Sequence, residues 1–157
     1  MTVLEAEDDR WCGDVGADSP SWGMMNVLAG CITTASAAIA DAQIDSLDLV
    51  TGGVSALVLD NSGDKKDDAT LPELVLDIDP AEHQSVISMC VVAYLPSRDE
   101  VTELWLKGDS SRLSLGSDDN RMGHEALIDG AVDAAKGAHT VLVEAVRESA
   151  ERLVDRS

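Results

Sequence analysis

The sequence contains no phenylalanine, and aromatic residues of all kinds make up only 3% of its 157 residues. The large rings are Trp11, Trp22, Trp105 and Tyr94. A core must therefore be built from aliphatic side chains and methionine, and flat platforms on which nucleic-acid bases could stack are scarce. Hydrophobic residues still make up 45% of the chain, which is enough for the core of one domain over residues 1–157.

Positive charge is also scarce. Eleven Lys and Arg face thirty Asp and Glu, which gives a formal net charge of −19. A surface of this sign repels phosphate, so the chain by itself is a poor candidate for binding nucleic acid or an anionic membrane. A basic partner surface, a need for solubility and a salt-rich host each account for the excess of acid, and the sequence leaves these explanations open.

Paired cysteines and long apolar runs are missing as well. Cys12, Cys31 and Cys90 form no C-x-x-C pair, so they suggest neither a disulfide framework nor a zinc site. The apolar surroundings of Cys31 and Cys90 predict buried thiols and a reducing compartment. No apolar run approaches membrane-spanning length, and residues 1–15 carry acidic residues in place of a basic signal segment. We therefore expect neither a membrane span nor a secretory signal.

Hydrophobic periodicity predicts an α+β fold. Apolar steps of three and four predict a helix from about Met25, capped by Ser21, and a long helix over about 121–154, capped by Asp118 or Asn120. Apolar runs predict strands at 47–60, 74–78, 86–95 and 101–106, and a short run at 2–7 is consistent with one more. Polar stretches at 61–70 and 110–120 predict mobile loops. This order predicts a mostly antiparallel sheet with two helices packed on one face.

Glycines in two of these elements indicate close backbone approach. Gly52-Gly53 interrupts the predicted strand 47–60, which indicates either a bulge or another backbone nearby. Gly123, Gly130 and Gly137 recur every seven residues in the long helix and so lie near one of its faces. Because interior glycines weaken a helix, we expect close packing there, either by the domain's own sheet or by a neighbouring chain.

The best candidates for chemistry are acidic. Asp77 and Asp79 lie two apart on a predicted strand and so share a face, and Glu82 follows shortly after. Three such carboxylates could bind Mg²⁺ or exchange protons. The plainer explanation is a solvated strand edge with Ile78 turned inward.

The remaining motifs carry less chemistry. His83, His124 and His139 have no metal-binding spacing and are expected at the surface or at its boundary. No G-x-S-x-G elbow is present, and Gly52-Gly53 lacks the rest of a nucleotide-binding fingerprint. We therefore expect neither a cofactor nor a resident metal.

Several runs resemble the second half of an RNase PH-type subunit. The small-residue run TASAAIADAQI at 34–44 is similar to the family phrase ASLALADAGI, and DLV at 48–50 and GGV at 52–54 follow it as in the family. VLDID at 75–79, AYLPS at 93–97 and VTEL at 101–104 are similar to later family strands. The phrase NVLAGCIT at 26–33 is most similar to ring subunits of the eukaryotic RNA exosome, especially fungal ones.

The resemblance implies a subunit without catalysis. In the register of the family, the last catalytic acid falls on Met89 and the earlier acidic pair on Glu82 and His83. A methionine can neither bind Mg²⁺ well nor relay a proton. The resemblance therefore implies a structural subunit of a ring, through which RNA reaches a separate nuclease for 3′-to-5′ processing and degradation.

The resemblance also implies partners and location. Other RNase PH-type exosome ring subunits would be the partners, RNA would be contacted only through the assembled ring, and the site of action would be the nucleus, nucleolus and cytoplasm. Two alternatives stay open. One is an active phosphorolytic 3′-to-5′ exoribonuclease that uses Asp77, Asp79 and Glu82; the other is an acidic protein-interaction domain unrelated to RNA.

Overall fold

The computed structural model describes residues 22–59, 72–78, 83, 85–108 and 119–155, and only the backbone of 119–122. Its elements are helix α1 (Gly23–Asp41), strands β1 (Thr51–Val58), β2 (Glu73–Leu76), β3 (Val86–Leu95) and β4 (Glu100–Gly108), and helix α2 (Asp119–Val154). The strands form one antiparallel sheet in the order β2-β1-β3-β4. The predicted α+β class and the antiparallel sheet are confirmed.

The two central strands are buried on both faces. Every residue of β1 is buried, as is every residue of β3 from Ser88 onward. Because successive side chains of a strand point to opposite faces, this pattern requires cover on both sides of the sheet. Met25 and Ala29 of α1 pack on one face of the sheet. They share a core cluster with Val54, Ala56, Val58, Ile78, Met89 and Val91.

Helix α2 covers the other face. Leu127, Ala131 and Ala135 share a second cluster with the alternate strand residues Leu57, Cys90, Val92 and Tyr94. The prediction that both helices pack on one face is therefore wrong. The near-continuous apolar runs of β1 and β3, typical of strands covered on both faces, carried the signal for this arrangement.

The paired glycines of β1 let both helices approach the sheet. A Cβ built on Gly52 would lie 2.3 Å from the carbonyl oxygen of Ala29 in α1, and one on Gly53 would lie 2.1 Å from that of Ala131 in α2. Close backbone approach is thus the correct one of the two explanations for these glycines. The irregularity in the pairing of β1 with β3 falls elsewhere, between Leu57 and Val58.

Buried hydroxyls fix α2 on the sheet. The Thr51 hydroxyl donates to the carbonyl oxygen of Ala135 (2.9 Å), and the Ser55 hydroxyl donates to that of Leu127 (2.5 Å). Gly130 faces the same surface, since an added Cβ would lie 2.9 Å from the Leu76 side chain. Packing against the domain's own sheet therefore explains Gly130.

Several element ends differ from the sequence prediction. α1 begins at Gly23 with Trp22 as its N-cap and no side-chain cap, so Ser21 is not the cap. α2 begins at Asp119, so residues 119 and 120 of the predicted loop are helical and Asn120 is not its cap. The strand predicted at 47–60 narrows to Thr51–Val58. The strand at 2–7, the loop at 61–70 and residues 110–118 of the second loop lie outside the described residues.

Helix α1 is apolar enough to cross a membrane by length and composition alone. An 18-residue window of this 19-residue helix has a mean hydropathy of 1.4, contrary to the expectation that no run approaches that length. The sheet accounts for this character, since Met25 and Ala29 enter the core and Leu28 and Ile32 pack against it. A core helix passes the same test of length and composition as a membrane span.

Candidate functional site

Of the three acidic candidates, only Asp77 lies in the described part of the chain; Asp79 and Glu82 lie outside it. Asp77 follows the last residue of β2 with a φ of +50°, and its N–H donates to the carbonyl oxygen of Val54 (3.0 Å). It is therefore a left-handed turn residue and not a strand residue as predicted. The turn directs Ile78 inward, where only 1% of it is exposed.

Met89, on which the resemblance places the family's last catalytic acid, is enclosed in the core. It is 0% exposed, pairs with Ala56 of β1 and Lys107 of β4, and belongs to the cluster under α1. Its thioether is therefore closed off from solvent in the described structure. The arrangement supplies packing at this position and no acid–base group.

No group of three or more His, Cys, Asp or Glu that could hold a metal occurs among the described residues. His83, His124 and His139 are all half-buried, which places them at the surface boundary as predicted. Cys90 is buried as predicted, whereas Cys31 is only half-buried. Burial raises the pKa of the Cys90 thiol to about 11, so it stays protonated and unreactive at neutral pH.

Sequence reasoning missed a polar cluster that joins three parts of the fold. The Asp48 carboxylate, before β1, accepts the backbone N–H groups of Leu49 (2.7 Å) and Ser97 (2.8 Å), the latter in the turn after β3. His139 of α2 places its Nε2 3.8 Å from Asp48 Oδ1. The one signal for this cluster was the position of Asp48 in the DLV phrase at 48–50.

The cluster holds Asp48 ionised but does not assemble a catalytic triad. Burial opposes ionisation of Asp48, yet hydrogen bonds from Leu49 and Ser97 and the attraction of His139 outweigh it and lower the pKa of this carboxyl. Ser97 donates to the carboxylate and not to the imidazole, so the order of contacts needed to activate a serine nucleophile is absent here. Its contacts connect the segment before β1 with the turn after β3 and with α2.

A second polar contact lies beside it. The Tyr94 hydroxyl donates to Asp99, a left-handed residue at the end of the 3₁₀ turn Pro96–Arg98. That hydrogen bond, with burial and the negative charge of Asp99, raises the pKa of Tyr94. Lys136 of α2 places its Nζ 5.5 Å from the centre of the Tyr94 ring, which favours the cation over the ring face.

Apolar surface is exposed at the β4 edge of the sheet. Every residue of β4 is exposed or half-buried, and its large side chains Val101, Leu104, Trp105 and Leu106 are each 39–42% exposed. No strand pairs with the outer side of β4 among the described residues. A long apolar edge of this kind is typical of a surface that another chain covers.

A search with protein-family models finds no match to the chain. The chain is similar to the exosome complex component MTR3 of Chaetomium thermophilum, with 43% identity over 149 residues that cover 95% of this chain and 48% of that protein. It is also similar to the exosome complex component mtr3 of Schizosaccharomyces pombe, with 40% identity over 94 residues that cover 59% of this chain and 34% of that protein.

These relationships confirm the resemblance to a fungal exosome component. The chain spans about half the length, or less, of the curated relatives that it matches. The match to the Chaetomium protein includes nearly all the described elements, because it covers 95% of the chain. The chain is therefore similar, over nearly all of its length, to one part of the fungal exosome components named MTR3.

Proposed function

We propose that this chain is part of a non-catalytic ring subunit of an RNA exosome. In that role it supports 3′-to-5′ processing and degradation of RNA, including rRNA processing and mRNA turnover, by a separate nuclease. The observation that carries the proposal is the 43% identity, over 95% of the chain, to a protein named as an exosome complex component.

The absence of catalysis is supported by the chemistry of position 89. A catalytic acid must be ionisable and reachable, and Met89 is neither, since it has no ionisable group and is 0% exposed. The left-handed turn at Asp77 gives no support to the alternative in which Asp77 and Asp79 form a shared strand face.

Two surface properties support a role in assembly. The net charge of −19 disfavours direct binding of RNA by this chain, so RNA contact is proposed only through an assembled ring. The exposed apolar edge of β4 offers a surface for other RNase PH-type ring subunits. Acidic residues of this chain should pair with basic residues of the neighbouring subunits. The association of the subunits should therefore weaken as the salt concentration rises.

We also propose, from the similarity to exosome components, that the protein acts in the nucleus and nucleolus and in the cytoplasm. The proposal rests on kinship with exosome components and on no feature of the described fold. A fluorescent fusion in a fungal cell, imaged with a nucleolar marker, tests it; exclusion of the fusion from the nucleus would refute it.

Assembly is tested by co-expression of the chain with fungal exosome ring subunits, followed by affinity purification at low and high salt. We expect copurification that weakens at high salt, and we expect Leu104→Ser with Leu106→Ser to reduce it. The matched control is Val143→Ser, which changes an equally exposed apolar residue on α2. Copurification of basic proteins unrelated to RNA in place of ring subunits would instead support an acidic interaction domain.

Catalysis is tested by incubating the purified chain with single-stranded RNA, phosphate and Mg²⁺. We expect no release of nucleoside diphosphates. The control is the triple variant Asp77→Asn, Asp79→Asn, Glu82→Gln, which removes the candidate carboxylates. Release by the natural chain that the triple variant loses would establish the phosphorolytic alternative.

A further inference from the structure

The side of β4 that faces α2 is apolar and lacks a cover among the described residues. Leu104 and Leu106 pair with Val92 and Cys90 of β3, and directly paired residues of antiparallel strands point to the same face. Val92 and Cys90 belong to the cluster under α2, so Leu104 and Leu106 lie on the α2 side of the sheet. They are nevertheless 40% and 42% exposed, so α2 does not cover them.

One flank of α2 faces these leucines. A Cβ added to Gly130 would meet side chains of β2, so Gly130 marks the flank of α2 that lies toward β2. Ile128 and Val132 are two residues before and after it, each about 160° around the helix from it, and so lie on the flank toward β4. Both are half-buried and pack on the cluster under α2. Leu104, Leu106, Ile128 and Val132 together form the β4–α2 strip.

The space above the β4–α2 strip is one helix wide. The Thr51 and Ser55 hydroxyls bond to carbonyl oxygens of α2, so α2 lies over β1. In the strand order β2-β1-β3-β4, β4 is the second strand from β1. Neighbouring strands are about 4.8 Å apart, which places β4 about 10 Å to the side of the α2 axis. Packed helices lie about 8–10 Å apart, so a second helix packed beside α2 would rest on β4.

Acidic side chains border the β4–α2 strip. Glu125 and Asp129 are exposed, and each lies three residues before one of the two α2 residues of the strip, which makes it their neighbour on the helix surface. Lys136, four residues beyond the strip, places its Nζ over the Tyr94 ring and 3.8 Å from Asp133. Basic residues of an occupant would therefore fit this flank. A second copy of the chain, with a net charge of −19, would be repelled.

We propose that the β4–α2 strip binds an amphipathic helix of a partner protein, with an apolar face and with Lys or Arg beside that face. The apolar face packs on the strip, and the basic residues pair with Glu125 and Asp129. The strand from Val101 to Leu106 spans about 17 Å, which matches about 11 helical residues, or three turns. The proposal deepens the proposed function at the same strand but does not need it, because the partner is identified by its chemistry alone.

The test uses the full chain and a synthetic peptide of about 15 residues, with Leu in a helical stripe and Lys beside the stripe. Calorimetry measures binding, circular dichroism measures the helicity of the peptide, and hydrogen exchange measures backbone protection of the chain. We expect the peptide to become helical on binding and to protect residues 101–106 and 125–132. A peptide with Glu in place of Lys should bind at least about tenfold more weakly.

The apolar contact is tested by Leu104→Ser combined with Leu106→Ser. This variant should weaken binding of the Lys peptide at least about tenfold, because it removes the apolar surface of β4. The matched control is Val143→Ser combined with Leu153→Ser, which changes similarly exposed apolar residues further along α2. The control should bind like the natural chain. Urea unfolding of each variant verifies that it is folded.

The charged contact is tested by Glu125→Lys combined with Asp129→Lys. This variant should weaken binding of the Lys peptide and strengthen binding of the Glu peptide, each at least about tenfold. The matched control is Glu144→Lys combined with Glu148→Lys, which changes the net charge by the same amount at exposed positions further along α2. The control should keep the preference of the natural chain for the Lys peptide.

Four results would overturn the proposal. They are no binding of the Lys peptide by the natural chain, equal weakening by the two charge-reversal variants, a bound peptide that stays extended, and self-association of the chain that Leu104→Ser with Leu106→Ser abolishes. The second result would show unspecific attraction to an acidic protein, and the last would assign the strip to a second copy. Failure to copurify ring subunits, with peptide binding intact, would refute the proposed function and leave this inference standing.

Discussion

Replacing glycine with alanine should have opposite effects at Gly53 and at Gly137. At Gly53 the new methyl group would lie 2.1 Å from the carbonyl oxygen of Ala131 and 2.4 Å from the nitrogen of Ala135. These are backbone atoms of α2, which no side-chain rotation can move. Helix α2 must therefore shift away from the sheet by about 1 Å to restore an ordinary contact.

The size of the effect at Gly53 follows from what that shift disturbs. Overpacking alone costs about 1–3 kcal/mol. The shift also stretches the hydrogen bonds from Thr51 (2.9 Å) and Ser55 (2.5 Å) to α2 carbonyls, and each buried group left unsatisfied costs about 1–3 kcal/mol. We expect a loss of about 3–9 kcal/mol, a large part of the ~5–15 kcal/mol that stabilises a typical domain.

At Gly137 the same methyl group meets no atom of the described residues within 4 Å. Only the helix propensity changes, and alanine is favoured over glycine by about 1 kcal/mol in a helix interior. Urea unfolding followed by circular dichroism measures both variants. We expect the Gly53→Ala midpoint to fall by more than about 1 M and the Gly137→Ala midpoint to rise by less than that. A Gly53→Ala variant within about 1 kcal/mol of the natural chain would refute the packing of α2 on β1.

Three more predictions concern Met89, the cysteines and Asp48. Met89→Asp should lower the free energy of unfolding by more than about 4 kcal/mol, because it buries an unpaired charge. Met89→Leu should lower it by less than about 1.5 kcal/mol, and urea unfolding measures both variants. A stable Met89→Asp protein that releases nucleoside diphosphates would contradict a closed site. Alkylation followed by peptide mass analysis should modify Cys31 before Cys90, whose buried thiol has its pKa raised to about 11; equal rates would show that the core opens freely. Asp48→Asn should destabilise the chain at pH values above the usual carboxyl pKa of 3.8. The difference in the free energy of unfolding between the variant and the natural chain should shrink as the pH falls below that value. The lowered pKa of Asp48 makes the folded carboxylate stabilising above that pH, so a difference that grew on acidification would contradict its hydrogen bonding to Ser97.

Local patterns predicted the elements well where one residue type dominated a run. The bounds of β3, Val86–Leu95, agree with the predicted strand 86–95, because a long apolar run ends at Pro96. The close approach at Gly52-Gly53 was one of two predicted explanations and is confirmed. The ends of α1 and α2 were less well predicted, since an N-cap depends on backbone angles that the sequence constrains only weakly.

The candidate site was harder to predict. A spacing of two places Asp77 and Asp79 on one face only if the strand continues, and β2 ends at Leu76. The contact of Asp48 with His139 joins residues far apart in the chain, and no periodicity in either segment encodes it.

The sequence by itself determined the α+β class, the order of the elements and the acidic surface, because composition and local periodicity suffice for these. The similarity to fungal exosome components came from the resemblance of short runs such as NVLAGCIT at 26–33. Only the tertiary structure decided that the helices cover opposite faces of the sheet, that Gly130 is packed and that Gly137 is open. The physical reason is that Gly130 and Gly137, seven residues apart, lie on nearly the same side of α2. What each of them contacts depends on where the sheet ends. β2 stops at Leu76, so the sheet reaches Gly130 and leaves Gly137 beside the open edge of β1.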